Sequence, residues 1–349
     1  MSQAAPSATA AKPRPVLSPA AVLRRFGPLL GLLLLCGVLG GASDRFLTAD
    51  NLLNILRQSA VNLLVSLGQL VVIITAGIDL SVGSILGLCC VMVALLMHAG
   101  VPPLISVAVA LAIGAALGAI NGILLTKLHL PHPFIPTLGM MNVARGLALV
   151  ISGGFPISEL PPGFRFWGAG SIGWIPAPVI VVLFFCAAFS IFLNRTTIGR
   201  DLYAIGGSPQ AARLSGVPVD ARLILVYALS GLTAAAGAIV LAGRMNSGFP
   251  LAGVGGELDS IAAVVIGGAS FLGGVGLVSG TVVGALIMGV LRNGLNLLNV
   301  SAAWQTVVIG LVIVAAVWVD IVRHASLVVD TRGATRVVRQ GGNATIVSA

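Results

Sequence analysis

The polar side chains able to do chemistry in this sequence are few: Asn62, Asp79, Ser81, Asn142, Arg145, Asp259 and Asn293 interrupt long apolar stretches. These types suit hydrogen bonding and charge pairing at membrane depth better than covalent catalysis. Asp79 and Asp259 each stand just ahead of an apolar run, where a carboxylate either caps a helix N-terminus or lines a polar pathway. Arg145 falls in the middle of an apolar run, where an unpaired guanidinium costs roughly 3 kcal/mol on insertion scales. It therefore needs either a structural partner or a solute in a watery cavity. Asn62, Gln69, Asn121, Asn142, Asn293 and Asn296 supply amides, which serve equally as a polar route or as helix-to-helix bonds.

A second constellation lies in the polar connection 195–221. Gly199, Asp201, Tyr203 and Gly206 lead into Ser208, Pro209, Ala211, Ala212, Arg213, Leu214, Ser215 and Gly216. Ser208 can cap a helix, Pro209 suits its first position, and Gly216 can take the left-handed conformation at its end. The short helix this predicts, Gln210 to Ser215, is not stable alone in water. It must pack on its own chain or dock on a partner.

Other chemistry finds no residues. No glycine loop ends in Gly-Lys-Ser/Thr, no His-Glu-x-x-His occurs, and no Ser or Cys pairs convincingly with His. His129 and His132 lack carboxylate or thiol neighbours for a metal, and Cys36, Cys89, Cys90 and Cys186 lie in apolar stretches without ligand spacing. No regular series of buried acids suggests a proton relay. The expectation is a chain that is not an enzyme, with no metal and no cofactor.

The elements that must position these residues are membrane helices. Of 349 residues 57% are hydrophobic and 8% charged, with mean hydropathy +1.07; soluble chains carry about 25% charged residues. Too few charges remain to cover a water-exposed surface, so the apolar excess faces a lipid bilayer. The net charge of +9 is scattered through connections and tails with no basic stripe, which excludes a nucleic-acid partner. Spans are predicted near 27–43, 59–77, 82–98, 103–125, 134–152, 177–194, 222–243, 258–275, 276–292 and 304–322. The first is read as an uncleaved span rather than a signal peptide. Breaks near Asp79 and Gly274 leave nine or eleven spans open, each break marking a place for a half-length helix.

With ten spans and the N-terminus inside, thirteen of nineteen basic residues fall on the cytoplasmic side, so both termini are expected in the cytoplasm. Residues 1–26 and 323–349 read as flexible tails flanking a transmembrane domain at 27–322. The exterior connection 153–176, rich in Pro, Phe and Trp, reads as an interfacial aromatic belt or as a docking surface. Two glycine ladders, Gly114-Gly118-Gly122 and Gly276-Gly280-Gly284, put small residues on one helix face for backbone-to-backbone packing. They occupy corresponding places if the chain is two inverted five-span repeats, and Gly77–Ser81 then parallels Gly256–Ser260.

At these residues the chain resembles a known family, the permease subunits of bacterial ATP-binding-cassette importers for ribose, xylose and related monosaccharides. The resemblance rests on Asn51–Gln58, Thr75–Ser84, Pro133–Met141, Gly199–Gly207 with Ala211–Gly216, Glu257–Gly268 and Asn293–Leu298, in the family's order across about residues 45–322. Pro136 and the Pro131-His132-Pro133 run depart from the family's pattern. The resemblance implies an all-α permease of about ten helices in the bacterial inner membrane, paired with a second copy or a close paralogue, with a pathway along their interface. It further implies a cytoplasmic ATPase docked on the loop matching 199–216 and a periplasmic or extracellular sugar-binding protein. A branched-chain amino-acid permease of the same importer type is the nearest alternative; an ion-coupled secondary transporter is a more distant one.

Overall fold

The computed structural model describes residues 19–319 and 321, with side chains from residue 27 onward; the N-terminal tail to residue 18 and the C-terminal tail from 323 lie outside the described residues. The chain runs through α1 (Pro19–Ala42), α2 (Ala49–Ile74), α3 (Val82–His98), α4 (Pro103–Lys127) and α5 (Phe134–Ser152). It continues through α6 (Pro162–Ala169), α7 (Ala177–Arg195), α8 (Thr197–Gly207), α9 (Pro209–Leu214) and α10 (Val219–Met245). The last helices are α11 (Gly256–Ile266), α12 (Val278–Leu297) and α13 (Ala302–Val319). Seven of them, α2, α4, α5, α7, α10, α12 and α13, are long and apolar enough to cross a membrane. The chain is thus a mostly helical, multi-pass membrane protein.

Two boundaries differ from the sequence reading. The predicted second span, 59–77, is the later part of α2, which starts at Ala49 after Thr48 accepts a hydrogen bond from the Asn51 N–H. Hydropathy hid this first third because Asp50, Asn51, Asn54, Arg57 and Gln58 are polar. The predicted eighth span, 258–275, is only the 11-residue α11, against roughly 17 residues needed to cross the hydrocarbon core. The chain leaves the helix at Gly267, and Gly268, Gly273 and Gly274 follow with φ of +94°, +87° and +73°. These are angles that side chains resist and glycine accepts.

Burial separates an inner layer from a lipid-facing one. In their most apolar windows, 78% of α2 and 67% of α10 is buried against 6% of α13. α2 and α10 pack on each other, with α4 laid along α10 and α12 along α2. α4 approaches α10 through Gly114, Gly118 and Gly122: a Cβ at any of them would strike the α10 backbone at Gly231, Tyr227 or Ile224. In the second ladder, Gly280 and Gly284 meet the backbone of Gly267 and Ala263 at the end of α11, whereas Gly276 precedes α12 and lies on the Leu70 and Ile74 side chains. Close packing holds for both sets, but the two ladders face different neighbours.

The connection 153–176 is ordered by two short strand pairings, one distant in sequence and one local. Ile157–Ser158 (β1) pairs antiparallel with Ser247–Gly248 (β4), and Ser171–Ile172 (β2) pairs with Ile175–Pro176 (β3) across a turn. α6 buries Phe164 and sets Gly168 against the α10 backbone, while Phe155, Trp167 and Trp174 remain exposed. The proline-rich start of α5 is accommodated because Pro136 occupies its first turn, where backbone N–H groups have no intrahelical acceptor.

Gly118→Val should therefore force α4 away from α10 at a cost of about 1–3 kcal/mol or more, while Gly139→Ala, which faces open space, should be neutral. Thermal melting of the detergent-solubilised protein, followed by size-exclusion chromatography, distinguishes the two.

Candidate functional site

The polar residues fall into three separate places. The first is the non-helical segment 75–81 between α2 and α3, where Asp79 is fully buried. Its Oδ1 accepts from the Ser81 N–H at 2.9 Å and the Ser81 hydroxyl at 2.6 Å, and its Oδ2 accepts from the Ser230 hydroxyl of α10 at 2.8 Å. Asn121 of α4 donates to Ser81 Oγ at 2.9 Å. The carboxylate therefore does not bond the first-turn amides of α3 as a capping side chain would. It takes its donors from Ser81 beside it and from Ser230 of α10, and Ser81 in turn accepts from Asn121, so the break is pinned to α10 directly and to α4 through Ser81.

The second place is a cavity of about 420 Å³ in the half of the bundle that holds the α2 N-terminus, walled by α2, α3, α10, α11 and α12. Gln58, Ser59 and Asn62 reach it from α2, Arg244 from α10, Asp259 from α11 and Arg292 from α12. Asp259 does not cap α11, whose N-cap is Gly255; it sits one turn in and pairs with Arg292 at 2.5 Å. The pair ties the short helix to its neighbour, with the Arg292 side chain 44% and the Asp259 side chain 14% exposed. Of the seven predicted residues, Asn62 and Asp259 meet here.

The remaining predicted residues do not line it. Arg145 Nη1 donates to the carbonyls of Pro250 at 2.6 Å and Ala252 at 2.9 Å, and Nη2 donates to that of Gly83 at 3.3 Å. Its need for a partner is met by backbone, clamping α5 to α3 and to the loop before α11. Asn293 pairs with Asn51 of α2 through two amide bonds of 2.8 and 3.0 Å. Asn142 is exposed and donates to Leu138 O of its own helix. Ser59, Gln58 and Arg244 were absent from the sequence-derived set. The signal for the first two was helical spacing, since Gln58 and Ser59 precede Asn62 by four and three residues and so share its side of α2.

The third place is the loop after α7. Thr196 caps α8 by accepting from the Gly199 N–H at 3.0 Å, and Ser208 caps α9 by accepting from the Ala211 N–H at 3.2 Å. The motif residues then divide by direction. Gly199 is packed on the end of α7, Asp201 pairs with Arg222 at 2.9 Å, and Ala212 is buried beside Ile205 and Val219. Tyr203 donates to Gly276 O at 2.8 Å, and half-burial pushes its phenol above the usual value, so it keeps its proton. Gly206 lies against Ile74 O and the Gly274 backbone. Pro209, Ala211, Arg213, Leu214, Ser215 and Gly216 face outward; Leu214 is 91% exposed, and Arg213 is held by Asp220 at 2.5 Å. The predicted short helix is present one residue earlier than expected, as Pro209–Leu214, and it has both an inner packing face and a free outer face.

Among known proteins, a family model described as branched-chain amino acid transport system / permease component matches residues 51–317. The ribose import permease protein of Bacillus subtilis (strain 168) is 45% identical over 301 residues, covering 86% of this chain and 93% of that protein. The D-allose transport system permease protein of Escherichia coli (strain K12) is 40% identical over 298 residues, covering 85% and 91%. The galactose/methyl galactoside import permease protein of the same organism is 36% identical over 322 residues, covering 87% and 96%. No solved structure matches the chain.

Replacing Arg145 by Leu should strip three carbonyls of their donor and lower stability by about 1–3 kcal/mol, with folded yield falling in the same proportion as transport. Asn142→Ala should change neither, as measured by thermal melting and uptake in parallel.

Proposed function

The chain belongs to the branched-chain amino acid transport system permease family, and from that premise we propose that it is the membrane permease subunit of an ATP-binding-cassette importer for a monosaccharide of the ribose type. The observation that carries this reading is identity of 36–45% to permeases named for ribose, allose and galactose, running over more than nine-tenths of their lengths. Those names favour a sugar over the branched-chain amino acid of the family's description. No motif for binding ATP through a glycine loop occurs in the sequence, so the chain supplies the pathway and a partner supplies hydrolysis.

The cytoplasmic ATPase docks on 195–221. The outward residues Pro209, Ala211, Arg213, Leu214 and Ser215 contact it, and the inward residues Gly199, Asp201, Tyr203, Gly206 and Ala212 hold that surface in place. The division itself supports this reading: one face of α9 is anchored through Ala212, and the opposite face presents Leu214, 91% exposed, on an ordered helix. An external sugar-binding protein delivers substrate, and a second copy or a close paralogue completes the translocator. The pathway begins at the polar cavity holding Asn62 and Asp259.

The transmembrane domain, 27–322, crosses the inner membrane ten times with both termini in the cytoplasm. The seven long helices, the apolar part of α1 (Gly27–Ala42), α3 and the half-length α11 supply the ten segments. An inverted five-plus-five plan is supported by the packing of α4 on α10 and of α12 on α2, which exchange under such a repeat.

In proteoliposomes containing the permease, its ATPase and its binding protein, radiolabelled D-ribose, D-allose or D-galactose should accumulate only with ATP. Uptake without the ATPase, driven by an ion gradient, or uptake of leucine in place of every sugar, would refute the assignment. Leu214→Glu should insert normally yet lose the ATPase in pull-downs and lower ATP-driven import by about tenfold or more.

A further inference from the structure

Two buried polar side chains of α2 are left without partners inside the chain. Ser59 is 3% exposed, lines the polar cavity, and its hydroxyl has no hydrogen bond. Gln69 is fully buried, and neither its amide oxygen nor its amide nitrogen has a partner. A buried group left unpaired costs about 1–3 kcal/mol, and at Ser59, on the cavity wall, a bound solute can relieve that cost. Gln69 lies beyond the cavity lining, further along the same helix. Asn62 and Val65 line it, and Gln69 follows Asn62 by seven residues, on the same face of the helix and two turns further toward the docking loop.

We propose that each permease chain holds its own monosaccharide-binding site in this cavity, with the Ser59 hydroxyl and the Asn62 amide as direct hydrogen-bonding groups and Gln69 as the next contact inward along α2. The proposal rests on the sugar-importer reading and deepens it, placing a stopping point for substrate inside one chain and not only at the seam between two.

The chemistry of the cavity suits a polyhydroxy compound. Hydroxyls and carboxamides each donate and accept, as sugar hydroxyls do. The one carboxylate in the wall, Asp259, is already paired with Arg292 and so offers acceptor oxygens without an uncompensated negative charge. Arg244 adds donors and makes no ion pair among the described residues. A volume of about 420 Å³ lies within the roughly 300–1,000 Å³ typical of small-molecule sites.

Two measurements test the site. In a full-length permease with Cys36 and Cys186 changed to Ser, Val61→Cys, at a cavity-lining position given no hydrogen-bonding role, should react from outside with a membrane-impermeant maleimide. D-ribose, D-allose or D-galactose should slow that reaction about fivefold at a concentration about four times its Kd, with Ser171→Cys unprotected. In the reconstituted importer, Ser59→Ala and Gln69→Leu should each lower sugar import about tenfold while ATPase activity stimulated by the binding protein is retained. If the importer takes up one of these sugars but none of the three slows labelling of Val61→Cys, or both variants import normally, the site is wrong and the permease assignment stands. If wild-type importer takes up no monosaccharide, the assignment fails and the site with it.

Discussion

The hydrogen bond from the Gly274 N–H to Ile74 O, 2.8 Å long, is the constraint around which the rest of the molecule is arranged. Lipid offers no partner to backbone polar groups, so a helix that stops inside a membrane protein must have its last carbonyls satisfied by protein. α2 stops at Ile74, and the chain between α11 and α12 comes to meet it. Each break supplies what the other lacks. The approach is possible because Gly206 has no side chain where Ile74 O and Gly274 lie against it, and because Gly273 and Gly274 adopt positive φ. Tyr203 completes the junction from the 195–221 segment by donating to Gly276 O.

That junction explains how the 195–221 segment came to read as a motif. Gly199, Tyr203 and Gly206 are seated in the membrane domain, while the exposed Leu214 and Arg213 stand off it. An isolated six-residue helix would melt in water; α9 persists because Ala212 is buried beside Ile205 and Val219 and because Ser208 caps it. A partner pressing on α9 meets a surface that is continuous through α8 with both helix breaks. In a close-packed interior such contacts shift between discrete arrangements and do not deform smoothly. The Asp79 network is part of the same machinery, for it holds the far side of the α2–α3 break to α4 and α10.

Membrane character, most helix positions and the short α9 were legible in the sequence because each is a local property: apolar length, a cap, a proline at a first turn. The breaks near Asp79 and Gly274 were legible too, through glycine and charge. What was not legible depended on partners far apart in the chain. Arg145 and Asn293 look like pathway residues from polarity alone, yet one spends its donors on the carbonyls of Gly83, Pro250 and Ala252 and the other on Asn51. Asp259 looks like a cap because it precedes an apolar run, yet Gly255 ends the loop and frees the carboxylate for Arg292. The hydropathy window also cut off the polar start of α2, and with it Gln58 from the cavity wall.

That polar start gives α2 two functions. A helix of 26 residues is about 39 Å long at 1.5 Å per residue, enough to reach from one membrane surface nearly to the other. In its middle turns Gln58, Ser59 and Asn62 face the cavity; at its end Ile74 is bonded to the break that touches the 195–221 segment. Between them Gln69 is buried without a partner, in a stretch otherwise lined by Leu67, Leu70, Val71, Val72 and Ile73. One continuous helix thus joins the cavity wall to the break beside α8, with the buried, unpartnered Gln69 between the two. Leaving a buried amide unpaired is costly, so Gln69 is the place along α2 where packing alone does not explain the residue.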